Sequence, residues 1–228
     1  AIIPSFILIF SPKDLLTDSI SSINTDSMNF LSIDCSTNIG SLFISYKNKT
    51  FIKYLHNDKS NNDLLMMQIL NFLSENKLKF NDISKIFVNQ GPGNFSGLRT
   101  SLAVAKGISL STNLSLVGYN TFIWACAKFF GKNKLIYSLI EFRGKFFIKK
   151  FDKNLSSHTN ATQISIDKII EKYDSKFKVI PKNTIKNFDK KIFKRNNLSI
   201  IDLKHIELEF LEQKGLLNKK LIKPLYLS

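Results

Sequence analysis

Few residues of this chain combine the type and the spacing that chemistry needs, and most of them fall in one stretch, Gly91-Pro92-Gly93-Asn94-Phe95-Ser96-Gly97-Leu98-Arg99. Glycine permits positive φ and close backbone approach, and proline fixes one φ. A loop of this composition at a helix N-terminus can turn backbone N–H groups toward an anion. The spacing is not that of a dinucleotide fingerprint, and no Gly-Lys-Ser/Thr of a P-loop follows. Glycine spacing alone therefore leaves an anion cradle and a ligand-free strand-to-helix connection equally open. Arg99 falls in the first turn of the following helix, where a cation opposes the macrodipole. Compensation is expected from a carboxylate such as Asp34, a cluster of backbone carbonyls or a bound anion, with a structural pairing favoured because unpaired buried charge is costly.

The remaining chemistry-bearing residues are scattered. His56, His158 and His205 are isolated, and none has a partner at metal-ligand spacing. Cys35 and Cys126 sit in apolar contexts without a CxxC pattern, which suits a reducing cytoplasm better than a disulfide framework. No serine lies in a nucleophile-elbow pattern. Asp34, at the end of an apolar run, is a single carboxylate.

The 228 residues carry a formal net charge of +15. A charge of that size invites a nucleic-acid reading, but the excess is mostly lysine dispersed among asparagine and isoleucine. Arginine, the better residue for bidentate phosphate recognition, is scarce. The densest runs, Lys149-Lys150, Lys190-Lys191 with Lys194-Arg195, and Lys219-Lys220, read first as solvated faces, with weak RNA contact by a lysine face as the alternative. No stretch reaches the roughly 20 apolar residues that a membrane-spanning helix needs.

The elements that must position these residues follow from pattern and turn signals. Phe30–Asp34, Gly40–Tyr46 and Thr50–Leu55 read as a three-stranded meander. A helix over about 62–77 follows, capped by Ser60 or an asparagine, then a strand at Ile86–Asn89, the glycine loop, a helix at Ser96–Leu110 and a strand at Leu114–Val117. Beyond it, Thr121–Phe130, Ile164–Tyr173 and Ile206–Leu216 read as helices. Leu135–Ile140, Phe146–Phe151, Phe177–Ile180 and Leu198–Ile201 read as strands. Two α/β lobes, 28–120 and 121–228, are the economical architecture. Ala1–Ser27 is a poor signal peptide, and the expectation is that the native protein begins at Met28.

The two helices of the first lobe have unusual faces. In the first, Leu64, Leu65, Met66, Met67, Ile69, Leu70, Phe72 and Leu73 leave only a narrow polar strip. A helix lying on one sheet should be apolar on one side, so this one must bury a second face. Association with another protein is the expected outcome, and the adjacent methionines suit an adaptable contact. In the second helix, Gly97, Ser101, Ala105 and Ser109 form a small-residue stripe that permits close helix approach. Leu65, Ile69, Phe72 and Leu73, with Ser101 and Ala105, are the candidate partner interface.

These residues resemble the TsaB (YeaZ) family, a subunit of the bacterial machinery that makes threonylcarbamoyladenosine in tRNA. Gly91–Gly107 is close to the family's most recognisable pattern. Phe30–Ser36 resembles its opening strand, Glu141-Phe142-Arg143 its middle Asp-x-Arg segment, and Lys223-Pro224-Leu225-Tyr226-Leu227 its closing Pro-x-Tyr-Leu. The resemblance implies an actin-like (ASKHA) fold of two lobes, each a mixed sheet with flanking helices. It implies a cytoplasmic, non-catalytic subunit that binds TsaD, with TsaE joining the complex, tRNA met indirectly or through a weak basic face, and a homodimer as another association. It implies no intrinsic cofactor, with ATP or ADP expected only at the heteromeric interface, and a vestigial anion loop of Asp34, Gly91, Gly93, Gly97 and Arg99. Asn61, Glu141 and Ser228 depart from the family's usual His, Asp and Arg. Two alternatives stand beside this reading: an ASKHA-type ATPase or kinase using Asp34 and the Gly91–Arg99 loop, and a plain basic RNA-binding module.

Overall fold

The computed structural model describes residues 27–37, 39–56, 64–185, 197–219 and 222–227. Apart from Ser27, the Ala1–Ser27 expectation lies outside the described residues, as do the proposed cap at Ser60 and the run Lys190–Arg195. The chain divides into two units. The first holds residues 1–89, 94–118 and 219–223, and the second 90–93, 119–218 and 224–228.

The first unit is built on β1 (Phe30–Asp34), β2 (Ile39–Tyr46), β3 (Lys49–His56), β4 (Lys85–Asn89) and β5 (Ser115–Tyr119), in the order β3-β2-β1-β4-β5. β1 is antiparallel to β2, which is antiparallel to β3, while β4 runs parallel to β1. The tight β2–β3 connection places Lys47 and Asn48 at φ 45° and 64°, the doubly left-handed turn whose twist matches a hairpin. A parallel β1–β4 pair needs a crossover, and α1 (Leu65–Glu75) supplies it. α2 (Phe95–Thr112) then connects β4 to β5. Asn94 caps its start by accepting from the Ser96 N–H, and Asn113 ends it at φ 58°.

Period-2 alternation divides the central strand between two layers. Leu31 and Ile33 join Leu42, Ile44, Ile86 and Val88 beneath the helices, where they meet Leu65, Ile69, Phe72 and Leu73 of α1 and Leu102, Ala105 and Ile108 of α2. On the opposite side Phe30 packs edge-on against Phe87 at 5.0 Å and tilted against Phe43 at 5.6 Å.

The second unit repeats this plan. Its strands β6 (Leu135–Phe142), β7 (Lys145–Asp152), β8 (Thr162–Ile164), β9 (Lys178–Pro181) and β10 (Leu198–Ile201) lie in the order β10-β9-β6-β7-β8. β6 to β8 form an antiparallel meander, and β6, β9 and β10 are parallel neighbours. α3 (Thr121–Cys126) precedes this sheet, α4 (Ile166–Tyr173) crosses from β8 to β9, and α5 (Glu207–Gln213) follows it. α4 is capped by Ser165, which accepts from the Lys168 N–H. The buried Lys178 closes its other end, with Nζ donating to the carbonyls of Tyr173, Asp174 and Lys176 at 2.6, 3.0 and 2.8 Å. A cation there complements the helix dipole.

Several boundaries differ from the sequence reading. The helix expected over Thr121–Phe130 is α-helical only to Cys126 and tightens to a 3-10 turn at Ala127–Phe129. The helix expected from Ile206 to Leu216 is confined to Glu207–Gln213. β8, Thr-Gln-Ile, is too short and polar to show period-2 alternation.

Candidate docking face and the glycine loop

Asp34 ends β1 on the sheet face it shares with Asn89 of β4, and both are buried. The Asp34 carboxylate accepts from the backbone N–H of Ser36 at 2.9 Å and from Asn89 Nδ2 at 3.0 Å, and Asn89 also reaches Ser36 Oγ at 3.2 Å. Burial raises the Asp34 pKa, and the hydrogen bonds from Ser36 and Asn89 partly offset that rise. The carboxylate is thus the centre of a turn that carries the chain out of β1.

That turn meets the start of α2. The Asn94 N–H donates to the Ser36 carbonyl at 2.7 Å, and the Ser96 N–H donates to Asn94 Oδ1 at 3.3 Å. Two N–H groups that an anion cradle would use are therefore engaged within the unit. At Gly97 a Cβ would stand inside contact distance of the Cys35 carbonyl oxygen, so the glycine serves close packing of helix on turn. Arg99 is exposed, and its guanidinium lies 3.9 Å from the centroid of the Phe95 ring. The expected pairing of Arg99 with Asp34 is not what the structure builds: Asp34 is buried in its own hydrogen-bonded turn, and Arg99 stacks outside. The Asn94 and Ser96 N–H groups are thus not turned toward an anion.

Gly91 and Gly93 belong to the second unit. Gly91 sits at φ 104°, a conformation that favours glycine, and its carbonyl accepts from the Thr121 N–H at 2.9 Å. Beside it the Gln90 N–H donates to the Tyr119 carbonyl at 2.7 Å, and the Gln90 carbonyl accepts from the Leu225 N–H at 2.6 Å. These are chain-joining contacts.

The remaining titratable candidates stay apart. Burial pushes the Cys35 and Cys126 thiols up, out of the range of a reactive thiolate. His205, packed against Trp124 at 4.8 Å, is held down at about 3 by burial. Among the described residues no three His, Cys, Asp or Glu side chains are grouped to hold a metal ion, and no helix is long and apolar enough to cross a membrane.

The helices show where the sequence reading chose the wrong side chains. Leu65, Ile69, Phe72 and Leu73, with Ser101 and Ala105, are all 3% exposed or less, buried in the first unit's own core. These six do not form an outward interface, because the 3.6-residue period that brings them together turns them onto the sheet. The outward side of α1 instead carries Met66, Met67 and Leu70 at 38%, 50% and 47% exposure. The outward side of α2 carries Ala103, Lys106, Gly107 and Leu110, and a Cβ at Gly107 would meet nothing within 4 Å. Both helices share the core beneath them, so their outer residues form one layer, apolar on α1 and mixed on α2, where Ala103 and Gly107 are the small members. Spacing by four from Arg99 through Ala103 to Gly107 could have pointed to the second small stripe.

Comparison with known proteins bears on the same segment. A family model described as TsaD, tRNA N6-adenosine threonylcarbamoyltransferase, matches residues 58–140. The chain is 35% identical over 85 residues to the tRNA threonylcarbamoyladenosine biosynthesis protein TsaB of Buchnera aphidicola subsp. Baizongia pistaciae, covering 37% of this chain and 38% of that relative. YeaZ from Pseudomonas aeruginosa superposes with a TM-score of 0.60 over 88% of this chain and all of that structure, at 14% identity, which shows the shared fold. The chain is thus similar to proteins of the TsaB (YeaZ) family over part of its length.

Its two mixed sheets with flanking helices are the fold it shares with that YeaZ structure. The matched stretches span less than half the length of the first TsaB relatives. A 50-residue stretch is also 44% identical to the tRNA N6-adenosine threonylcarbamoyltransferase of Thermosipho melanesiensis, covering 22% of this chain and 15% of that enzyme. The TsaB relatives are named for threonylcarbamoyladenosine biosynthesis in tRNA.

Proposed function

We propose that this chain is a non-catalytic subunit that docks a TsaD-type threonylcarbamoyltransferase through the outer layer of α1 and α2, and thereby supports threonylcarbamoyl transfer to a tRNA adenosine. The observation that carries the reading is the composition of that layer. α1 has a single charged residue, Glu75, among eleven, and presents Met66, Met67 and Leu70 to solvent. An exposed apolar patch of this kind is the signature of a protein contact. The small residues of α2 let a partner helix come close, and the packed turn around Asp34 supports a positioning role over a phosphate-transfer one. TsaE joins after docking, and nucleotide binding, in this reading, requires the partner.

The test is Met67→Glu combined with Leu70→Glu. Both side chains point outward, so the variant is expected to fold with an unchanged melting temperature. It should fail to co-purify with the TsaD-type partner and fail to support formation of the modified adenosine in a reconstituted reaction, read by nucleoside mass spectrometry. Full complex formation by the folded double variant would overturn the docking face. ATP turnover by the isolated chain, lost on Asp34→Asn, would overturn the non-catalytic assignment in favour of an ATPase.

A further inference from the structure

By sequence the second unit holds 20 lysines and arginines against 10 acidic residues, so it carries +10 of the formal +15. Part of that charge converges at one end of its sheet. Leu135 at the start of β6 lies opposite Asp152 at the end of β7, which brings the flanking Lys134 and Lys153 together. The Gly131 N–H donates to the Lys153 carbonyl at 2.7 Å and draws the loop bearing Lys132 to the same place. On the other side of β6 the Tyr137 N–H donates to the Phe177 carbonyl at 3.0 Å, adding Lys176. These four lysines are exposed.

Two carboxylates lie near them in the chain. Asp152 is engaged by the backbone N–H groups of Asn154 and Ser156, and Asp174 lies on the turn after α4. The neighbouring segments carry two pairs of half-buried aromatic rings: Phe129 and Phe177 meet edge-on at 4.9 Å, and Tyr137 and Tyr173 at 5.1 Å.

We propose that this lysine-rich sheet end binds the phosphate backbone of RNA. Lysine is a point-charge donor without the rigid fork of arginine, so the contact reads charge and not sequence. The alternative polyanion, an acidic membrane surface, is disfavoured because binding there normally adds apolar insertion. Among the described residues of the second unit the exposed large hydrophobics are only Ile200 and Tyr226. The choice of tRNA as the RNA rests on the function proposed above; the polyanion contact does not.

The test uses the full chain and a fluorescently labelled, unmodified tRNA transcript, with anisotropy read at 50 and 200 mM salt. Changing Lys132, Lys134, Lys153 and Lys176 to Gln should weaken binding by at least about tenfold at 50 mM. It should also make the dependence of log K on log salt shallower by about 3, near one for each phosphate no longer neutralised. A control with the same change in charge on the first unit, Lys47, Lys49, Lys77 and Lys79 to Gln, should stay within about twofold. Arginine at the four positions should restore binding. Equal loss in both variants, or no salt-sensitive binding by the wild-type chain at 50 mM, would overturn the patch. So would binding to phosphatidylserine vesicles in place of the transcript. Co-purification of the four-lysine variant with the TsaD-type partner separates the two readings, because it reports on docking alone.

Discussion

The two units arrange five strands in the same order, an antiparallel meander followed by two parallel additions, and each crosses back to its parallel strands through a helix. The crossover helices make this duplication informative. α4 reads Ile-Asp-Lys-Ile-Ile-Glu-Lys-Tyr, with four charges in eight residues and Ile169 buried beneath them. It is an ordinary amphipathic helix that covers a sheet and meets water. α1, in the equivalent place, buries Leu65, Ile69, Phe72 and Leu73 and then leaves methionine and leucine where α4 has lysine and glutamate. The same architecture tolerates a charged outer face, so the apolar one on α1 is not demanded by the fold. The crossover helix of the first unit thus turns an apolar outer face to solvent, and that of the second a charged one.

The strongest way to break this comparison is to exchange the character of the two faces. Met67→Glu with Leu70→Glu should cost at least about a hundredfold in affinity for the TsaD-type partner, the scale of losing buried anchor residues at a protein interface. Lys168→Glu with Lys172→Glu on α4 should leave that affinity within about twofold. Isothermal titration of both variants decides the matter, and equal losses would mean that α1 is not special.

Next in size is an effect on folding at the start of α2. Gly97→Ala forces a methyl against the Cys35 carbonyl, which is backbone and can yield only if the β1 turn shifts. A loss of about 3 kcal/mol is expected from overpacking at such a site, read as a lower urea midpoint. Gly107→Ala, with open space around its Cβ, should gain a few tenths of a kcal/mol or more through helix propensity. That sharpens the distinction between the inward and outward small stripes of one helix.

The second unit has its own structural anchor in Lys178. Lys178→Met keeps the apolar stem but removes the ammonium shared by the carbonyls of Tyr173, Asp174 and Lys176, of which Tyr173 keeps the Lys176 N–H. About 1 kcal/mol should be lost, the scale of part-buried hydrogen bonds to a charged donor that water can partly replace. Thermal denaturation that shows no change would mean that water replaces the ammonium.

The succession of strands and helices along the first unit was legible because its strands are apolar runs bounded by turn signals, and the glycine loop marked the start of α2 without help from the fold. What could not be read was the direction in which α1 and α2 face. With Leu64 to Leu73 almost wholly apolar, period 3.6 gives no preferred side, and only the sheet decides that Ile69 goes in and Leu70 goes out. The loop's chemistry was hidden for a different reason. Whether the Asn94 and Ser96 N–H groups are open to an anion depends on Ser36, some 58 residues away in sequence, whose carbonyl takes the first of them. The lysine end of the second sheet was equally invisible, since Lys134, Lys153 and Lys176 converge only through strand register.

The smallest effect concerns pH, and it separates two groups that otherwise mask each other. His205 is held at about 3 by burial, against an ordinary value of 6.5. Its folded form stays neutral while the unfolded chain takes up a proton below 6.5, so this group removes stability as pH falls through that value, by at most about 1.4 kcal/mol per pH unit. Glu207 is raised from 4.5 to about 7 by burial, opposed by the neighbouring Lys128 and Lys204. Its folded form keeps a proton that the unfolded chain has released, so this group removes stability as pH rises from 4.5 through 7. Between pH 4.5 and 6.5 the two slopes have opposite sign. The wild-type chain should therefore show a shallow dependence in chemical denaturation across that window. Glu207→Gln should expose the His205 slope, with stability increasing toward pH 6.5, and His205→Gln should expose the reverse. If both variants kept the wild-type profile, neither group would be titrating differently in the folded and unfolded chains.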